Sequence, residues 1–152
     1  YGGGGSADSL LLKAVVNTGF DGHIIGDLAY STPTVPDTAG AAADKVVSLT
    51  PVNYGDPDAE TKKFLDAYQA KYNEGASVLS AYAYVAVKMV AAAIEKADAY
   101  EGKALAEAIQ SLNFESIIGK LEYTDEYHGG PNADAFKPVT FKDGEFAAPD
   151  QG

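Results

Sequence analysis

The chain contains no cysteine, no arginine and no tryptophan. The first absence excludes disulfides, thiolate nucleophiles and cysteine-ligated zinc together. The second leaves lysine as the only permanently charged basic side chain, eleven against 22 acidic residues, for a formal net charge of −11. Such a chain lacks the planar fork that grips phosphate, and its field repels nucleic acid and anionic membrane surfaces. Nucleic acid is therefore not an expected partner. Long unbroken apolar runs are also missing. The most apolar stretch, SVLSAYAYVAVKMVAAAIEKA, carries Lys88 in its middle and reads as a buried core helix rather than a membrane span. No signal peptide is legible, so the chain reads as cytoplasmic or as an exported chain whose start has been removed.

What is present is enough for a folded body: 152 residues, 46% of them apolar, can bury a core. A helix is expected over Ala7–Thr18, capped by Ser6, with Asp8 in the first turn where the helix dipole favours a carboxylate and Gly19 as terminator. HIIG (23–26) reads as a short buried strand, 32–44 as a loop entering a short helix, and KVVSLT (45–50) as a second strand. ETKKFLDAYQAKYNEG reads as an amphipathic helix with Phe64, Leu65, Tyr68 and Tyr72 on its core face and Gly75 as its end. The apolar helix at 78–97 and a third amphipathic helix at 103–112 follow. IIGKLEYT (117–124) and KPVTFKDGEFA (137–147) alternate like strands, the second with an Asp143-Gly144 hairpin turn. The order α-β-α-β-α implies a parallel sheet with crossover helices.

The opening YGGGGS leaves two readings open. It is a flexible linker, or a loop whose N–H groups, at Gly3, Gly4, Gly5 and Ser6, face a ligand at a helix start. A loop of the second kind is normally delivered by a strand, and none precedes it, so the chain reads as one that begins partway through an α/β domain. Asp27 directly follows HIIG, at the strand end where open α/β sheets bind ligands. Its alternatives are ligand contact and a local cap. Tyr30 and Tyr54 follow strands and are candidates for walling a pocket; the other tyrosines read as packing. His23 and His128 lie far apart in sequence without metal-ligand spacing, and no serine sits in a nucleophile elbow. No metal, cofactor or catalytic residue is expected.

Taken in order, YGG, Gly19-Phe20, HIIGD, KVVSLTPVNY, FLDAYQAKY, SAYAYVAVKMVAAAIEKA, GKLEYTDEYHGG and FKDGEF resemble the C-terminal part of type I periplasmic solute-binding proteins. The branch they resemble is the branched-chain amino-acid (leucine/isoleucine/valine) binding family of ABC importers. The resemblance covers about residues 1–147 and implies Rossmann-like three-layer α/β lobes, present here only in their C-terminal portion. It implies hinge closure of two lobes around a small-molecule solute. Residues 1–75 would belong to the second lobe. Residues 76–152 would supply the return crossover helix, a first-lobe helix and hinge-proximal strands.

The same resemblance implies that Asp27 takes a ligand ammonium, that the amides of Gly3–Ser6 face the ligand, and that Tyr30 and Leu79 supply its wall. Where relatives carry an aromatic near Gly4, this chain has glycine. The implied function is a non-enzymatic, exported solute receptor. It would act in the periplasm or outside the cell with an N-terminal lobe and a membrane permease. The alternatives are a lobe or fragment acting only as an interaction module, and a ligand-sensing domain of a receptor that shares the fold.

Overall fold

The computed structural model describes residues 6–98 and 100–149. In chain order the elements are α1 (Ser6–Asn17), β1 (Ile24–Gly26), a 3-10 turn (Leu28–Tyr30), α2 (Val35–Ala39), a 3-10 stretch (Gly40–Lys45) and β2 (Val46–Thr50). Then come α3 (Ala59–Tyr72), α4 (Val78–Ala97), α5 (Gly102–Gln110), a 3-10 turn (Ala133–Ala135), β3 (Lys137–Lys142) and β4 (Glu145–Ala147). The sheet runs β1-β2-β3-β4. β1 and β2 are parallel, as the helix-strand alternation implies, and β3 and β4 join antiparallel. By its internal contacts the chain divides into two units, Tyr1–Val78 with Phe136–Gly152, and Leu79–Ala135. The last two strands, β3 and β4, belong with the first unit, where β3 pairs with β2.

In the first unit, Leu12, Tyr30, Val35, Ala39, Ala42, Ala43, Val46 and Phe141 form one buried cluster, with Val16, Ile24 and Phe146 against it. Side chains alternate across a strand, so β2 turns Val46, Ser48 and Thr50 inward and leaves Leu49 50% exposed. β1 does the same: Ile24 meets the core, while Ile25 is 78% exposed. HIIG is therefore not the buried strand its composition suggests. It lies at the end of the sheet, and helices α1 and α2 pack on one side of it only.

Local chemistry explains the element ends. Asp58 Oδ1 accepts the Thr61 N–H at 2.7 Å and caps α3. That bond holds the Asp58 carboxyl below the ordinary carboxylate range. Asn73 takes the left-handed conformation and donates its N–H to the Gln69 carbonyl, so α3 stops two residues before the expected Gly75. Phe64, Tyr68 and Tyr72 form a ladder with ring centroids 6.0 and 4.6 Å apart. It runs from buried Phe64 out to Tyr72, which is 53% exposed, so the stripe is not wholly core-facing. Asp143 and Gly144 both have positive φ and turn β3 into β4, as a type I′ hairpin requires.

The second unit holds the rest of α4, α5 and an irregular segment. The expected strand at 117–124 is reduced to isolated bridges, Phe114 with Leu121 and Leu121 with Pro131. Ile117 and Ile118 are buried in succession, which breaks the alternation, and Ser116 Oγ ties back to the Gly119 carbonyl around a positive φ at Gly119. Helix α4 is long and apolar enough, by length and composition alone, to cross a membrane. Its buried residues Val78, Ala81, Val85 and Ala93 recur at helical spacing, the pattern of a helix lying on protein by one face. Leu79 and Val87 stand 70% and 71% exposed, so α4 is not the fully buried helix expected from composition.

Phe141→Ala is expected to cost about 3–5 kcal/mol, and Ile25→Ser to change stability by less than about 0.5 kcal/mol, in urea unfolding. Asp58→Ala should cost about 1 kcal/mol at neutral pH. Because the folded-state pKa of Asp58 is depressed, its contribution is present above the ordinary carboxylate range and is lost as pH falls. The wild-type advantage should therefore shrink in acid, read from melting temperature against pH.

Candidate functional site at the carboxyl edge of the parallel strands

β1 and β2 run in the same direction, so their carboxyl ends, Gly26 and Thr50, lie on one edge of the sheet. That edge is where open α/β sheets place ligands. The chain leaves β1 through Asp27, whose backbone is extended (φ −78°, ψ −172°). Two bonds anchor its main-chain carbonyl: the Tyr30 N–H donates to it at 3.1 Å, and the hydroxyl of buried Ser48 donates from β2. Asp27 Oδ1 accepts the Ala29 N–H at 2.9 Å and caps the turn. The residue is exposed all the same, and of the two alternatives the structure shows the cap. It is a cap, and its carboxylate keeps accepting capacity toward an incoming cation.

Behind Asp27 the packing is tight. A Cβ on Gly26 would stand 2.4 Å from Tyr30 Cδ2 and 2.6 Å from Tyr30 Cγ. The Tyr30 ring fills the space that any other residue at 26 would claim. Tyr30 is 5% exposed and belongs to the core cluster. The ring expected to wall a pocket is thus mostly consumed by packing. Its hydroxyl donates to the Asp8 carbonyl at 3.1 Å, which fastens the first turn of α1 to the turn after β1.

That fastening brings in a residue the sequence singled out only for its place in a helix dipole. Asp8 is fully buried, and among the described residues neither carboxylate oxygen has a hydrogen-bond partner. A first-turn carboxylate is normally favoured in its charged form. Here burial, and secondarily the charge of Asp27, push its pKa up. Desolvation outweighs the dipole because the dipole is worth only fractions of a kcal/mol while an unpartnered buried charge costs several. A composition or spacing rule has no means of finding Asp8, since the signal is burial.

Of the other expected site residues, Gly3, Gly4 and Gly5 lie outside the described residues. Ser6 is the first residue of α1. Leu79 is an exposed residue of α4 in the second unit. Tyr54 stacks on Phe146 at 4.1 Å and lines a cavity of about 480 Å³ beside α3 and the β3–β4 hairpin, with Asp37, Asp66 and Glu145. His23 lines a groove of about 440 Å³ with Asp21, Asp44 and Lys45, at the opposite end of β1 from Asp27. Among the described residues no three His, Asp or Glu side chains gather to hold a metal ion.

Two substitutions probe this geometry. Gly26→Ala should cost about 1–3 kcal/mol, because the Tyr30 ring is held in the core and yields poorly. Asp8→Asn should stabilise the protein increasingly as pH rises above the ordinary carboxylate range. A raised folded-state pKa means that wild type loses stability through that window and the variant does not. Urea midpoints from pH 4 to pH 8 read the difference.

Comparison with known proteins agrees with this architecture. The family described as "Periplasmic binding protein" matches residues 1–144. The leucine-, isoleucine-, valine-, threonine- and alanine-binding protein of Pseudomonas aeruginosa is 28% identical over 123 residues, covering 81% of this chain and 33% of that protein. Among solved structures, the branched-chain amino acid transporter substrate-binding protein LivJ of Streptococcus pneumoniae, in complex with isoleucine, superposes with a TM-score of 0.80. It is 24% identical, with 96% of this chain and 41% of that one covered. The leucine-binding protein LivK of Thermotoga maritima gives 0.72 at 22% identity, covering 97% and 42%. An extracellular ligand-binding receptor of Rhodopseudomonas palustris HaA2 gives 0.81 at 20% identity, covering 96% and 45%. These structural likenesses speak to the fold. The chain spans a third of the curated relative's length and about two fifths of the LivJ and LivK chains. By the match over most of its length, the chain belongs to the periplasmic binding protein family.

Proposed function

We propose that this chain is the C-terminal portion of the solute-binding component of an ABC-type importer. It holds a small amino-acid-like ligand between two lobes, without catalysis, and hands it to a membrane permease. The observation that carries this reading is Asp27, an exposed carboxylate on a main chain pinned by Ser48 and Tyr30 at the carboxyl edge of two parallel strands. An ammonium group is the natural occupant of such a position. The relative from Pseudomonas aeruginosa and the isoleucine complex from Streptococcus pneumoniae, by their names, take branched-chain and small amino acids. That points to the same ligand class here. Exposed Ile25 and Leu49 on the sheet, and Leu79 and Val87 on α4, support the two-lobed reading. In this reading an N-terminal lobe covers part of that apolar surface. Membership of the family supports export to the periplasm or cell exterior.

Titration calorimetry with leucine, isoleucine and valine on the two-lobed protein, this chain together with its N-terminal lobe, tests the reading. Binding is expected, and Asp27→Ala should weaken it by about 1.5–3 kcal/mol, the value of a hydrogen bond to a charged group. Equal affinity in the variant would remove Asp27 from the site. No heat with any of the three would remove the ligand class.

A further inference from the structure

The cavity of about 480 Å³ beside α3 lies wholly within the first unit, and the proposed function does not use it. Its floor is aromatic: Tyr54 stacks on Phe146 with ring centroids 4.1 Å apart, and Phe146 on Phe141 at 4.8 Å. Three carboxylates stand around that floor, Asp37 from α2, Asp66 from α3 and Glu145 from β4, and no lysine is among the described lining residues. We propose that this cavity is a second binding site, for a small organic amine. The apolar body of the amine lies on the Tyr54–Phe146 floor, and its ammonium group meets the Asp37 and Glu145 carboxylates.

Location sets the cavity apart from Asp27. β3 runs antiparallel to β2, with Thr50 opposite Lys137 and Ser48 opposite Val139. Further along, Thr140 Oγ1 donates to the Val46 carbonyl at 2.8 Å. The Asp143-Gly144 turn, with Glu145 just past it, therefore lies toward the amino end of β2, while Asp27 stands at the carboxyl edge.

Charge decides the sign of the guest. Asp66 is already met by Lys62 at 2.7 Å. Asp37 and Glu145 make no ion pair among the described residues. Ionised carboxylates only accept hydrogen bonds, and an alkylammonium carries three donors and no acceptor. Tyr54 adds a buried hydroxyl that has no hydrogen-bond partner among the described residues, and such a group favours a guest with donors to spare. The surroundings argue against a bare metal ion. No three His, Asp or Glu side chains gather to hold one among the described residues, and hard cations take about six to eight oxygen ligands, which an aromatic floor does not offer. The volume falls within the roughly 300–1,000 Å³ of small-molecule sites, which pair an apolar lining with a few polar groups.

The test is an amide NMR titration at neutral pH of the two-lobed protein, this chain together with its N-terminal lobe. The probes are phenethylamine and 2-phenylethanol, which matches it in shape and carries no charge. Phenethylamine should shift the Gly75 and Gly144 amides saturably and leave Gly26 unmoved. It should bind about five- to tenfold more tightly than the alcohol, the sum of two exposed ion pairs. Asp37→Asn combined with Glu145→Gln should remove that advantage and leave the alcohol's weaker binding unchanged. Both positions are exposed, so the fold should survive, and each single substitution should weaken amine binding about two- to threefold. Equal binding of amine and alcohol would reveal an apolar hollow with no preference for a cation and overturn the proposal. So would an amine affinity unmoved by the double variant, or the absence of saturable shifts at Gly75 and Gly144. These outcomes are independent of Asp27 and of the ligand class proposed above.

Discussion

The Tyr30 ring occupies the volume beside Gly26, and the geometry of the sheet's carboxyl edge depends on that contact. With no side chain at 26, the ring enters the core among Leu12, Val35, Ala39 and Val46. Its backbone N–H then reaches the Asp27 carbonyl and its hydroxyl reaches Asp8. One aromatic side chain thereby joins strand end, turn and first helix. The Asp27 carboxylate is presented from a fixed backbone rather than from a wandering loop.

Electrostatics at this edge is built by exclusion. The chain has no arginine and is strongly acidic, and Asp8 lies where water does not reach. Its two oxygens, unpartnered among the described residues, make it a place where burial and charge compete. Asp58, also near the start of a helix, shows the opposite outcome, because a backbone N–H meets its carboxylate and favours the ionised form. The two differ in partner and solvent access rather than in helix position, which is why a dipole rule describes one and fails for the other.

The apolar faces left open tell a consistent physical story within each unit. On the sheet, strict alternation commits one side of β1 and β2 to the α1–α2 core and turns Ile25 and Leu49 outward. On α4, burial at 81, 85 and 93 leaves Leu79 and Val87 on the outside. Composition scored both segments as interior because it counts apolar residues, and only packing assigns them a side. The relatives are more than twice as long as this chain.

Residue order by itself determined the α/β class, the parallel β1–β2 pair, β2 almost to the residue, the Asp143-Gly144 hairpin and the placement of Asp27 at a strand end. These are local or period-based features, set by side-chain size, branching and turn preference. Tertiary structure decided the rest. It drew Tyr30 into the core, ended α3 at Asn73 rather than Gly75, and dissolved the strand expected at 117–124 into bridges. It also buried Asp8 within reach of Asp27's charge. Burial and electrostatic coupling are properties of neighbours brought together by folding, and residues nineteen positions apart carry no local mark of being neighbours.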